Sequence, residues 1–444
     1  MPLVPLAHSF GERYDLPIPL ALFVVGGALV VVLSFVLVLR RDARPGPAPA
    51  GPDEPPLGRT SPVLSVLVLV GMAALISVGL RGSQDLSVNP LPTVFWLVVW
   101  IAVPLSCGLL GDWTRPVNPF AALSRFADSP RARRLLLARS DPLPWPDGAG
   151  WWPATVLFFA LACGELIFNV TATLPRVTAT GLLVYAAVNL TAGLIFGSAW
   201  LARGEVLTVL FSTWGRLGWF RFGAAGERGF VGGLKAVPFA RTSSRISFVL
   251  LLLISVNFDG LLATPRWAQF ERDHVASASS LDDFRLRAFL ALTVLAWAVF
   301  ATFAWAAARL GRQRVGLTTA LAGLLPSMLP IAFAYLLSHN LQYLIVNSQT
   351  LLPVDQPRTD LLPSAVYWYV GVTAIVGAHV LAVVLAHGHL TRTAADGRAA
   401  RRSEYPWLVA MVSYTMVSLI LIAQPLVTEN GSPPAVAASA SART

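Results

Sequence analysis

Residues 364–389 read SAVYWYVGVTAIVGAHVLAVVLAHGH, 26 residues without a single Lys, Arg, Asp or Glu. A hydrocarbon core of roughly 30 Å is crossed by about 20 helical residues, so a stretch this long and apolar reads as a membrane-spanning helix. Nine other blocks of the chain have the same character. Taken in order, the expected spans are 17–39, 62–80, 91–110, 152–174, 179–200, 246–263, 285–309, 317–346, 364–387 and 407–427. The sequence therefore predicts an all-α membrane protein with about ten transmembrane helices in one bundle, spanning residues 17–427.

The composition of the whole chain agrees. Of its 444 residues 55% are apolar and only 13% charged, with a mean hydropathy of +0.64. Soluble domains carry about 25% charged residues, which argues against a cytosolic enzyme, a disordered chain or a secreted disulfide scaffold. Cys107 and Cys163 both fall inside apolar blocks and form no CxxC pair, so they read as packing residues. The first block is too long for the apolar region of a signal peptide. It is followed by Arg40 and Arg41 rather than a small-residue cleavage site, and reads as a retained span behind an outer tail, residues 1–16.

Charge sets the expected orientation. The 33 Lys and Arg outnumber the 23 Asp and Glu, for a net charge of +10. These cations do not gather with aromatics on a soluble domain, as nucleic-acid binding requires; they occupy short loops. With alternate loops assigned to opposite sides, loops 40–61, 111–151, 201–245, 309–316 and 388–406 together hold 24 of the 33. The positive-inside rule then places that side in the cytoplasm and both termini outside, the pattern of a multi-pass protein of the plasma (inner) membrane. Residues 42–58 read as a flexible Pro/Gly linker, and the tail 428–444 as disordered. Within the cytoplasmic loop 203–245, segment 205–222 is apolar but broken by Gly215, Arg216 and Gly218, and reads as an interfacial helix. Pro326 and Pro330 predict a kink, or a late start near Leu324, in the eighth span.

Ionisable groups in hydrocarbon cost a few kcal/mol or more, so they face the bundle interior and carry partners or function. Glu165 lies midway along the fourth span, with Asn169 one turn further on. Asn257 and Asp259 lie in the outer third of the sixth. The eighth contains Ser338, His339, Asn340 and Gln342, and the ninth has His379 near its middle and His387 and His389 at its cytoplasmic end. Helix rise makes convergence of Glu165, Asp259, His339 and His379 in the outer half geometrically feasible. Three chemistries compete for such a cluster: a divalent, zinc-like metal activating water, a b-type haem between histidines, and a proton or ion path through the carboxylates. Asn169, Asn189, Asn257 and Gln342 read as interhelical hydrogen-bonding groups, and His387 and His389, beside Arg392, as interfacial residues.

The ordered motifs also carry a resemblance. Gly82-Ser-Gln-Asp85 with Asn89-Pro-Leu-Pro-Thr93, Gly111-Asp-Trp113 with Val117-Asn-Pro-Phe120, and Phe258-Asp-Gly260 come first. PSMLPIAFAYLLSH at 326–339, AVYWYVGVTAIVGAHVLAVVLAH at 365–387 and SEYPWLVAMVSYT at 403–415 follow. From about Ser61 to Ala423 the chain resembles the actinobacterial membrane proteins labelled fenitrothion hydrolase. The resemblance implies a polytopic membrane protein hydrolysing an apolar organophosphorus triester at its aryl ester bond, a substrate that reaches its site through the lipid bilayer. It transfers no established catalytic residues. Members often carry an acidic residue after the last Leu-Ala-His, where this chain has Gly388. On this reading Asp259, His339, His379 and His387 are the candidate metal ligands, and Glu165 and Asp85 the candidate catalytic acids or bases. The alternatives remain a transporter or channel using Glu165 and Asp259, and a haem-binding respiratory subunit.

Overall fold

The computed structural model of the chain describes residues 25–30, 32–33 and 61–423, apart from 225–227, 237–238, 276, 353–357 and 359. The tails 1–16 and 428–444, the linker 42–58 and most of the expected first span lie outside the described residues. Within them every regular element is helical and no strand occurs.

The main helices are α1 (Pro62–Arg81), α2 (Pro90–Leu110), α3 (Pro119–Ala127), α4 (Trp152–Leu166), α5 (Pro175–Phe196) and α6 (Val206–Gly215). They continue as α7 (Ser243–Leu262), α8 (Ala278–Leu310), α9 (Leu317–Asn347), α10 (Ser364–Thr393) and α11 (Gly397–Ala423). Eight of these, all but α3, α4 and α6, are long and apolar enough to cross a membrane. Proline opens several at the first turn, where its missing N–H costs nothing. At α2 and α3 the side chain of the preceding Asn caps the helix, Asn89 accepting from the Leu91 amide and Asn118 from those of Phe120 and Ala121.

Burial grades the helices. In its most apolar window α9 is 78% buried against 11% for α1, so α9 is the central column and α1 a rim helix presenting most of its surface to lipid. Interior helices are tied by polar side chains. Trp407 of α11 donates to Ser327 of α9 at 3.1 Å, Trp297 of α8 to Ser247 of α7 at 3.1 Å, and Ser338 of α9 to the Gly371 carbonyl of α10 at 3.1 Å. Such bonds between membrane helices contribute about 0.6 kcal/mol on average. Asn189 and Asn257 do the same work: Asn189 accepts from Trp200 at 2.8 Å, and Asn257 bonds to Tyr414 and Ser418 of α11.

Two expectations change. The fourth span, expected over 152–174, ends as a helix at Leu166; after a break at Ile167 and Phe168 the chain makes one short turn, Asn169–Ala172, before α5. Fifteen residues reach only about 22 Å, so α4 stops inside the thickness of the bundle. Segment 205–222 was expected on the membrane surface, but its helical part, α6, is covered by protein on almost every face. A helix apolar all round belongs in an interior, and only Trp219, Phe220 and Phe222 beyond it are exposed. The eighth span starts at Leu317, as its expected bounds have it, rather than late near Leu324, with Pro326 and Pro330 inside the helix.

Beyond the expected span 285–309, α8 extends by two turns at its start. Arg285 there makes a bidentate pair with Glu271 of the short helix Pro265–His274, at 2.7 and 2.8 Å, which seats that helix beside the end of α7.

A buried carboxylate–imidazole cluster as the candidate functional site

Three ionisable residues meet near one end of the bundle. Helices α4 and α7 start together, Thr155 donating to the Ser244 carbonyl at 3.1 Å and the Trp151 amide to the Ser244 hydroxyl at 3.0 Å. Running parallel from that point, they bring Glu165 and Asp259 to similar depth in their last turns. Beside them α9 contributes His339, whose Nε2 stands 2.6 Å from Oδ2 of Asp259. Glu165 lies within electrostatic range of both, and Tyr343 within range of the two carboxylates.

Glu165 and Asp259 line one cavity of about 40 Å³, space for water rather than for a drug-sized ligand. Its apolar walls include Phe158, Leu210, Trp214 and Leu336, and its polar lining includes Ser255 and Asn340. Oε2 of Glu165 accepts a hydrogen bond of 2.6 Å from the indole nitrogen of Trp100. That tryptophan sits on ten residues of π-helix, Thr93–Ala102, in the middle of α2. Pro104 explains the wide turn. Its ring has no N–H to give and clashes in an ordinary helix with the carbonyl four residues back, which is that of Trp100. The Val103 amide instead reaches back five residues to Val98. Stretches of π-helix are rare and concentrate at functional sites.

The other expected site residues do not join the cluster. Helices α9 and α10 are antiparallel, with Ser338 beside Gly371 and the His389 ring against Gly323. This register sets His379 level with Ile331, about 12 Å along the axis from His339, and His387 level with Leu324, about 22 Å away. The expected ligand set Asp259, His339, His379 and His387 is thus drawn out along the bundle. Among the described residues no three His, Cys, Asp or Glu side chains are placed to hold a metal ion. Nor do His379 and His387, on one helix, face each other across a haem.

His387, expected as a surface residue at the cytoplasmic end of its span, is buried instead, its Nδ1 3.0 Å from Oε1 of Glu404 on α11. Asp85 is a turn residue: the amide and hydroxyl of Ser87 bond to its Oδ1 at 2.8 and 2.7 Å, holding the exposed carboxyl below the usual carboxylate range.

Sequence reasoning missed three participants. Trp100 was signalled by Pro104 inside an apolar run. Glu404 lies in the quoted motif SEYPW, but near a loop, where a carboxylate excites no suspicion. Glu205, which caps α6, is fully buried and accepts from Asn118, Tyr185, Thr208 and the Leu207 amide. This satisfied carboxylate ties α3 and α5 to α6. Comparison of the chain with protein-family models, with curated proteins and with solved structures returns no match.

Proposed function

We propose that this multi-span helical membrane protein is a proton-exchanging carrier or channel whose exchange site is Glu165, Asp259 and His339. One observation carries the reading. Two carboxylates line a cavity at a broken helix inside an apolar bundle, and an imidazole, that of His339, is paired with one of them; all three groups bind and release a proton. Such residues inside membrane proteins mark ion pathways and proton relays, and interrupted helices beside them recur in transporters. The loop-charge bias supports placing this end of the bundle toward the outside of the cytoplasmic membrane, with both termini on that same side. Asp259 takes a proton from the outer side, His339 at 2.6 Å shares it, and Glu165 holds a second one against the Trp100 donor.

The test is proton flux in proteoliposomes enclosing a pH-sensitive dye, driven by a potassium diffusion potential. Wild type acidifies the lumen faster than protein-free vesicles, and Asp259→Asn reduces the protein-dependent rate at least tenfold. A wild-type rate equal to that of empty vesicles overturns the reading.

A second reading, hydrolysis of an apolar ester, is favoured by one feature: Asp259 orients His339 beside a cavity that Ser255 also lines, one turn from Asp259. There His339 removes a proton from water as the oxygen attacks the ester phosphorus and the aryl oxide leaves. This is the chemistry to which the motif resemblance points. Release of a chromogenic phenol from an aryl phosphotriester, abolished in His339→Gln, supports it, and the absence of release removes it.

A further inference from the structure

Away from the cavity, the interior face of α10 and α11 carries a second set of buried ionisable groups. His379 is fully buried, and its Nδ1 lies 2.8 Å from the Ile375 carbonyl. A carbonyl only accepts, so Nδ1 carries the ring proton and Nε2 presents a bare lone pair. That Nε2 finds no hydrogen-bond partner among the described residues. The same holds for Nε2 of His387 and Oε2 of Glu404, which are joined to each other through Nδ1 and Oε1 at 3.0 Å. Glu404 is 1% exposed. Buried polar atoms without partners are uncommon in native interiors, and each calls for an explanation. Those of His379, His387 and Glu404, on two neighbouring helices, call for a shared one.

Their spacing supplies it. From the Asp259–His339 pair, the register of α9 against α10 puts His379 about 12 Å further along the axis and His387 about 10 Å beyond that. The hydroxyl of Tyr335, buried and one turn from His339 on α9, lies in the first interval, and Ser327, buried at 1% exposure, in the second. Past His387 the chain reaches His389, which has Arg392 and Arg241 in electrostatic range, at the end of the bundle opposite Asp259. The ionisable groups of α9, α10 and α11 thus run from one end of the bundle to the other.

We infer that His379 and the His387–Glu404 pair form the second half of a transmembrane proton path that begins at Asp259 and His339. His379 accepts a proton at Nε2 and releases it from the same nitrogen, while Nδ1 stays on the Ile375 carbonyl. His387 takes the proton at Nε2, with its cationic form held by Glu404, and passes it to the aqueous side. One proton enters and one leaves, and each group returns to its starting form. The inference rests on the proton-exchange reading above.

Dye-loaded proteoliposomes separate the two. His379→Gln and Glu404→Gln are expected to lower protein-dependent proton flux at least tenfold, as Asp259→Asn does. Glu404→Asp, which keeps a carboxyl, restores at least a third of the wild-type rate, whereas a merely structural Glu404 is served as well by Gln. If Asp259→Asn abolishes flux while His379→Gln and Glu404→Gln conduct like wild type, this second half is overturned and the exchange site stands. If Asp259→Asn itself conducts like wild type, the exchange reading falls and the inference with it. Elution as a monodisperse species in detergent qualifies each variant; should His379→Gln fail, His379→Asn takes its place.

Discussion

Nε2 of His339 and Oδ2 of Asp259 stand 2.6 Å apart across the α7–α9 interface, with the two side chains only 4% and 14% exposed. At that burial the partners depend on each other. Removing one leaves the other uncompensated, and the cost exceeds that of removing both. Asp259→Asn and His339→Gln are each expected to lower unfolding stability by about 2 kcal/mol, with a coupling of about 1–3 kcal/mol in the double variant. Denaturant unfolding in detergent micelles reads this cycle; strictly additive losses contradict the pairing.

The Trp100 donor to Glu165 is separable from the Trp100 ring. Its ring stacks on Phe158 at 5.4 Å between centroids, and Trp100→Phe keeps that surface while deleting the indole N–H. A hydrogen bond to a neutral group contributes about 0.5–1.5 kcal/mol. Trp100→Phe is therefore expected to leave helix content by circular dichroism unchanged and to slow proton flux several-fold. A wild-type rate shows that the indole N–H plays no part in it.

Glu205 makes the opposite prediction, large in stability and small in flux. Its carboxylate accepts from donors on α3, α5 and α6, and Glu205→Ala orphans buried groups at about 1–3 kcal/mol each. Glu205→Ala is expected to lower the thermal unfolding midpoint markedly, and Glu205→Gln, which retains one acceptor oxygen, to fall between the two. Proton flux per correctly inserted molecule stays within twofold of wild type in Glu205→Gln.

Asp85 was an expected catalytic acid, and the structure gives it a turn instead. Its carboxyl is held low by the Ser87 hydroxyl and amide. Any stability it lends is present above its ordinary value of 3.8 and is lost only as the pH falls through the lower value it has in the folded protein. Asp85→Asn is therefore expected to conduct and to unfold like wild type between pH 5 and pH 8, measured by flux and by thermal scans across roughly that range. Loss of flux in Asp85→Asn returns this residue to the site.

The fold was legible because hydrocarbon length is written directly in apolar runs. Eight of the ten expected spans stand as long helices, and residues 317–347 and 364–393 lie within a few residues of their expected ends. What failed was local. Neither the end of α4 at Leu166 nor the π-helix around Trp100 follows from hydropathy, since a run of apolar residues reads the same whether its backbone turns every four residues or every five. The burial of α6 depended on Glu205 finding donors on Asn118 and Tyr185, distant in sequence, as well as in the first turn of its own helix. Of the four groups whose convergence helix rise made feasible, Glu165, Asp259 and His339 lie together. His379 and His387 were grouped with them because sequence gives depth along each helix but not the register between helices. The Ser338–Gly371 contact supplies that register, and it separates the histidines into two levels.

Infrared difference spectroscopy of the reconstituted protein after a pH jump tests proton exchange at the buried carboxyls most directly. A change in the protonated-carboxyl C=O band that shrinks in both Asp259→Asn and Glu165→Gln, while persisting in Asp85→Asn, is the expected result. A band that is unchanged in both buried variants, or no carboxyl signal in wild type, contradicts the account.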